Sequence, residues 1–342
     1  MRVGLIGCGR IAGEAHLPAY ARAGVSVSAV CDLDASRAAE FAGRLGCVAS
    51  TDPVELARRD DVDLLDVATP PAGRAELLRA LYSVGKPILS QKPLAYDLAT
   101  ATALVTEADQ HGVVLAVNHN ARWAPTHQVV YRHILAGDLG RVYAVAHHNR
   151  FNEDLDAWYT RHPDYLFLDH GIHYFDLIRV ITGLTPVAVS AMAGRAPEHR
   201  PAGPVVYSVN LRFAEPDTAH VTLTFVNAVP APAGFDYRLT VDGTRASALA
   251  SLTTVDVLPH GAEPRRGIQV DGEWVPDGFA GALTSLIRHL RTGSPLPHSG
   301  GDHLASLAVA TAAAQSARNH GAWTDVARSE VSHGPTLGDY LL

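Results

Sequence analysis

Arg2-Val-Gly-Leu-Ile-Gly-Cys-Gly-Arg-Ile-Ala12 opens the chain as an apolar run that breaks on two glycines and resumes with helical spacing. Residues 2–7 read as a buried strand, and the helical pattern continues through Ala23. Gly7 makes the tight turn. Gly9 lets the backbone come close to a pyrophosphate resting on the helix N-terminus, and Ala12 takes the third position, where a small residue keeps helix and strand together. A second strand, 25–31, ends in Asp32, 20 residues beyond Ala12, where a carboxylate can accept hydrogen bonds from a ribose diol. Strand, Gly-rich turn, helix, strand and acid in this order form the context that a dinucleotide fingerprint requires. The turn residues Gly7, Gly9, Arg10, Ile11 and Ala12, with Asp32, are therefore candidate cofactor-binding residues.

The alternation continues. Helices are expected over 35–45, 53–59, 76–84 and 97–111, with strands over 48–50, 64–68, 87–90 and 113–118. This rhythm predicts βαβ units in a doubly wound parallel sheet, with ligands beyond the carboxyl ends of its strands. Thr69, Pro70, Gln91, Lys92 and Asn118 stand at such ends and join the cofactor-binding set. The chain contains only two lysines, Lys86 and Lys92, against 28 Lys and Arg together. A lysine kept at position 92 offers a compact charge that arginine cannot supply.

Near residue 120 the rhythm changes. A helix over 125–136 and a strand over 141–151 precede a run of strands, at roughly 185–195, 204–214, 217–227, 236–242, 246–259 and 268–270. Helices over 278–292 and 302–319 follow. The fold class is therefore α/β: an N-terminal Rossmann domain over 1–120, then a C-terminal α+β domain over 121–326 on an open, mostly antiparallel sheet. Residues 327–342 read as a loose tail.

The second domain carries Leu166-Phe-Leu-Asp-His-Gly-Ile-His-Tyr-Phe-Asp-Leu-Ile-Arg179. Ile172, Phe175, Ile178 and Ile181 give it a helical stripe, with Asp169 at the N-cap and His173 one turn inside. A carboxylate that orients a neutral imidazole makes a base for a hydroxyl proton near neutral pH. Arg122, Trp158 and Tyr159 are candidate substrate contacts. His147, His148 and His170 read as sheet or surface residues, and Cys8 as a packed thiol.

The 342 residues are 47% hydrophobic and 18% charged, with a net charge of −7. This is a globular balance, and it argues against a nucleic-acid or anionic-membrane partner. No run reaches transmembrane length. Cys8, Cys31 and Cys47 form no metal spacing and suit a reducing cytoplasm. Asp169, His170 and His173 lack the further partner that a catalytic zinc needs, so no metal is expected.

Three motifs in order resemble the Gfo/Idh/MocA family of nicotinamide-dependent oxidoreductases. They are Gly7-Cys-Gly-Arg-Ile-Ala12, then Gln91-Lys-Pro-Leu94 for the family's Glu-Lys-Pro, and Asp169-His-Gly-Ile-His173 for its Asp-x-Gly-x-His. The resemblance spans residues 1 to about 325. It implies a small-molecule substrate and a homo-oligomer, dimer or tetramer, built through the C-terminal sheet. It also implies catalytic Lys92, Asp169 and His173, which would interconvert a secondary alcohol and a ketone on a sugar, cyclitol or related intermediate. Asp32 favours NAD over NADP, since a 2′-phosphate would face its carboxylate. A dinucleotide-sensing regulator and a redox-assisted glycosidase or epimerase are the alternatives. The chain departs from the family pattern at Gln91, at Arg74, where a His often stands, and at Asp164-Tyr-Leu-Phe-Leu168, which replaces a Gly-rich run.

Overall fold

The computed structural model describes residues 1–152, 157–214, 219–327 and 337–341. They group into two compact units: Met1–Trp123 with Trp274–Leu304, and Ala124–Glu273 with Ala305–Leu341.

The first unit is built on six parallel strands: β1 (Arg2–Ile6), β2 (Ser26–Cys31), β3 (Val48–Ser50), β4 (Leu64–Val67), β5 (Ile88–Ser90) and β6 (Leu115–Val117). Their spatial order is β3-β2-β1-β4-β5-β6. The order reverses at β1/β4, and a crevice for a dinucleotide opens at the carboxyl ends of those strands. The connecting helices are α1 (Leu17–Ala23), α2 (Ala35–Leu45), α3 (Pro53–Arg58), α4 (Arg74–Tyr82) and α5 (Leu98–Gln110). Asp34, Asp52 and Asp97 cap α2, α3 and α5 through backbone N–H groups of the first turn, each cap contributing about 1 kcal/mol.

The second unit begins with α6 (Pro125–Leu135), β7 (Val142–Arg150) and α7 (Ile172–Thr182). Strands β8 (Ala188–Gly194), β9 (Val206–Arg212), β10 (His220–Val226), β11 (Asp236–Gly243), β12 (Ala246–Ala250), β13 (Thr254–Pro259) and β14 (Arg265–Gln269) follow. After α8 (Phe279–Thr292) and α9 (Gly300–Arg318), the two-residue β15 (Thr324–Asp325) completes a nine-stranded sheet, ordered β14-β13-β12-β11-β7-β10-β9-β8-β15. Every neighbouring pair is antiparallel except β7 with β10. One face is apolar and meets the helices; His147 of β7 stacks on Tyr174 of α7 with ring centroids 4.0 Å apart. The other face carries Ser208, Thr224, His148 and Arg238 in one cross-strand row.

Four features differ from the sequence reading. The expected block 121–326 is interrupted, because Trp274–Leu304 belongs with the first unit. Leu283, Leu286 and Ile287 of α8 pack into the same core as Val3, Leu5, Val30 and Leu89. Gly281 permits this approach, since an added Cβ would lie 2.3 Å from Cβ of Trp123. Beyond α8, Ser299 bridges Ala116 and Val117 N–H donates to the His298 carbonyl at 2.8 Å, so this segment covers the edge of β6.

The single strand expected over 246–259 is the hairpin β12–β13. The hydroxyl of Ser251 accepts from the N–H groups of Thr253 and Thr254 at 3.1 and 2.9 Å, a local turn that the β-branched threonines disguise. Of the expected loose tail, 328–336 and 342 lie outside the described residues, whereas Tyr340 is buried and its carbonyl accepts from Gln128 Nε2 at 3.0 Å. Finally, Asp169 is no N-cap. Helical backbone already begins upstream, with a π-helical turn over Leu166–Gly171 that runs into α7. Pro163 lies before this turn, and Leu168 N–H donates to the Asp164 carbonyl at 3.0 Å.

Arg122, expected to meet substrate, is completely buried. Its Nη2 lies 2.5 Å from Asp302 Oδ2, and its Nη1 donates to the Pro297 carbonyl. Its guanidinium is spent on holding the returning segment to the first unit. Truncation would leave Asp302 as an uncompensated buried charge, so Arg122→Ala is expected to cost about 3–5 kcal/mol in chemical unfolding. A stable variant with weakened substrate binding would contradict this assignment.

Candidate active site

The Gly-rich turn has the conformation its residues predict. Gly7 adopts φ +100°, and a Cβ there would meet the Ala68 backbone at 3.0 Å. Its N–H donates to the Cys31 carbonyl at 2.8 Å, which ties β1 to β2. A Cβ on Gly9 would meet nothing within 4 Å, so the backbone there borders open space. The helix that follows includes a π-helical turn over Ala12–His16. Ala12 is buried, Ile11 is half-buried, and Arg10 is exposed and pairs with Glu14 at 2.9 Å. Burial, with help from the Asp32 carboxylate, pushes the Cys8 thiol up to about 12, so it stays protonated in its packed position.

Asp32 is oriented by the backbone. Its Oδ2 accepts from Cys8 N–H at 2.8 Å and its Oδ1 from Asp34 N–H at 2.9 Å. Each oxygen keeps a lone pair, enough for two ribose hydroxyls. Arg37, the nearest candidate for a 2′-phosphate, lies 3.3 Å from Asp34 Oδ2 instead.

At the neighbouring strand ends, the Thr69 hydroxyl and the Asn118 carboxamide are buried with no hydrogen-bond partner among the described residues. Buried polar groups of this kind are completed by a bound ligand or an ordered water. With the open side of Gly9 and the free lone pairs of Asp32, they fit a nicotinamide dinucleotide. Pro70 is exposed beside Thr69.

Lys92 follows β5 in a loop held by groups that sequence reading missed. The buried Arg74 guanidinium donates to the carbonyls of Thr69, Gln91 and Pro93, clamping the loops after β4 and β5 together. His303 Nε2 accepts from Leu94 N–H at 3.2 Å. Gln91 Nε2 lies 2.7 Å from His16 Nε2, and His16 Nδ1 lies 2.8 Å from Asp66 Oδ2. One signal was available: Asp66 interrupts the apolar strand Leu64-Leu-Asp-Val67, and a carboxylate in such a strand needs partners.

In the second unit, Asp169 and His173 lie on the helix that runs from the π turn into α7; Asp169 is almost buried and His173 half-buried. His170 Nε2 is 4.0 Å from Asp169 Oδ2, and its ring stacks on Phe225 with centroids 5.8 Å apart. Trp158 is exposed and meets the buried Tyr159 edge-on at 5.4 Å. Burial lowers His147 to about 3, which keeps it neutral and leaves it a packing residue. Among the described residues no cluster of three His, Cys, Asp or Glu side chains could hold a metal ion.

A Gly-rich Rossmann turn with an oriented acid at the end of β2 is the class of site that binds a dinucleotide. Residues 1–119 match the oxidoreductase family with an NAD-binding Rossmann fold, and residues 127–249 match the GFO/IDH/MocA C-terminal domain. The chain belongs to the Gfo/Idh/MocA family. It is 29% identical over 332 residues to inositol 2-dehydrogenase of Rhizobium meliloti strain 1021, covering 92% of this chain and 96% of that one. It is 30% identical over 300 residues to myo-inositol dehydrogenase Hyg17 of Streptomyces leeuwenhoekii, covering 85% and 88%. A levoglucosan dehydrogenase complex with NADH and L-sorbose superposes with a TM-score of 0.83 over 97% of this chain and all of that one; at 20% identity it shows the shared fold.

Proposed function

We propose that this protein is an NAD-dependent dehydrogenase or reductase that interconverts a secondary alcohol and a ketone on a sugar, a cyclitol or a related biosynthetic intermediate. The observation that carries the reading is the Asp32 carboxylate at the end of β2, held by the backbone N–H groups of Cys8 and Asp34. The substrate class is supported by relatives named inositol 2-dehydrogenase and 1,5-anhydro-D-fructose reductase.

In this reading His173 accepts the hydroxyl proton of the alcohol. Asp169 orients the imidazole and stabilises its charged form, and Lys92 stabilises the developing alkoxide. Bound nicotinamide supplies the hydride acceptor. Trp158 and Tyr159 remain candidate substrate contacts. A cytoplasmic location fits the three free thiols Cys8, Cys31 and Cys47; among the described residues no helix is long and apolar enough to cross a membrane.

His173→Ala and Lys92→Ala are each expected to lower turnover at least about a hundredfold, the scale of a lost acid or base, while His173→Ala leaves NAD binding intact. Nicotinamide absorbance with a panel of polyols and keto-sugars measures both; undiminished turnover in either variant would remove that residue from the mechanism.

NAD should be preferred to NADP by at least about tenfold in kcat/KM, ~1.4 kcal/mol, because a 2′-phosphate would face Asp32. Asp32→Ser should erase most of the difference. Steady-state kinetics with both cofactors decides this, and a wild-type preference for NADP would show that Asp32 does not read the ribose.

The helix-free face of the nine-stranded sheet is the proposed interface of a homodimer or homotetramer. Its strands alternate inward apolar with outward small or polar residues, and Tyr143 and Met192 are exposed apolar groups of β7 and β8. Sedimentation equilibrium should give a multiple of the chain mass. A monomer at micromolar concentration would count against this interface.

A further inference from the structure

We propose that His16 is a positioning residue: as a neutral imidazole oriented by Asp66, it anchors the Gln91 side chain and so fixes the loop that presents Lys92. The inference rests on the role assigned to Lys92 above and concerns the first unit alone.

The argument begins at the centre of the parallel sheet. Asp66 lies within β4 and is 1% exposed, so its carboxylate depends on donors nearby; its Oδ1 has no hydrogen-bond partner among the described residues. Oδ2 receives two, the Tyr20 hydroxyl at 2.8 Å and His16 Nδ1 at 2.8 Å. Burial and the adjacent Asp66 hold the Tyr20 phenol far above its ordinary range, so it remains a donor. A carboxylate only accepts, so His16 Nδ1 carries a proton. On the far side of the ring, the amide nitrogen of Gln91 only donates and lies 2.7 Å from Nε2. That nitrogen must therefore present a lone pair. One tautomer of neutral His16 satisfies both contacts. The Phe279 ring meets the imidazole edge-on, with centroids 5.1 Å apart.

His16 and Tyr20 lie on the helix that follows the Gly-rich turn, Asp66 on the central strand, and Gln91 immediately before Lys92. A single buried hydrogen-bond chain thus joins the cofactor-binding helix to the Lys92 loop. The departure from the family's Glu at position 91 acquires a reason. A glutamate would set a second carboxylate against Nε2, and the ring would have to become an imidazolium to meet both. Glutamine lets one neutral tautomer do the same holding.

The test uses the full-length protein. In ¹⁵N-histidine NMR, His16, assigned from its shift in Gln91→Leu, should show a protonated Nδ1 and an unprotonated Nε2 from about pH 6 to about pH 9. Gln91→Leu removes the anchor and should lower kcat at least about tenfold while KM for NAD stays within about threefold. Gln91→Glu is the conservative rescue. Its His16 ring can hold both carboxylates only with a proton on each nitrogen, so the anchoring is present at low pH and is lost once the ring gives one up. Turnover of Gln91→Glu should therefore fall on the alkaline side, where the wild type does not, and His16→Phe combined with Gln91→Glu should lack that fall. A wild-type ring protonated at Nε2, or full kcat in Gln91→Leu beside an inactive Lys92→Ala, would overturn the positioning role alone. Full turnover in Lys92→Ala would remove the lysine's role, and this inference with it.

Discussion

A parallel sheet covered on both faces leaves one place where polar groups can gather: the loops beyond the carboxyl ends of its strands. The rest of the first unit follows from that constraint. β1 and β4 are buried throughout their apolar positions, and α8 returns from far along the chain to complete the cover. The strand order reverses at β1/β4, the position where a doubly wound sheet places its ligand, and there a Cβ on Gly7 would lie 3.1 Å from Thr69 Cγ2. Polar chemistry at these ends is cheap only where a ligand or another protein group completes each hydrogen bond. The Thr69 hydroxyl and the Asn118 carboxamide have no such partner among the described residues.

Elsewhere at the strand ends the protein completes its own bonds. Arg74 reaches three carbonyls from two loops with one guanidinium, a task that suits its planar fork of donors and that a single ammonium on a flexible stem would do poorly. His303 takes the Leu94 N–H and, through Nδ1, lies 2.9 Å from His119 Nε2, so a second histidine chain supports the same loop from the returning segment. Buried networks of this kind rigidify only when every member is satisfied. His16 and His303 each meet a partner at both ring nitrogens.

The second unit solves a different problem. Its nine strands need cover on one face only, and α6 and α7 supply it through an aromatic layer that includes Tyr174, Phe175, Tyr207 and Phe225. The π-helical turn before α7 widens the helix at Leu166–Gly171, and Gly171 is required there because a Cβ would meet the Phe175 ring at 2.9 Å. Asp169 therefore lies within a helix and not at its cap, while His173 follows in the first turn of α7.

Residues close in sequence were readable without the fold. The turn at Gly7 and Gly9, the acid at the end of β2 and the βαβ rhythm all depend on local spacing and backbone preference, which periodicity reports directly. The caps Asp34, Asp52 and Asp97 are of the same local kind. What tertiary structure alone decided are contacts between distant residues. Arg122 meets Asp302 across 180 positions, and His16 meets Asp66 across 50 and Gln91 across 75. Nothing in the neighbourhood of Arg122 distinguishes an arginine buried on a carboxylate from one offered to substrate. Likewise α8 has an amphipathic pattern that would suit either unit, and only the packing of Leu283, Leu286 and Ile287 places it in the first core. Local propensity determines which element forms, but the identity of its partner depends on the chain closing on itself, and that closure is not written in any single window of residues.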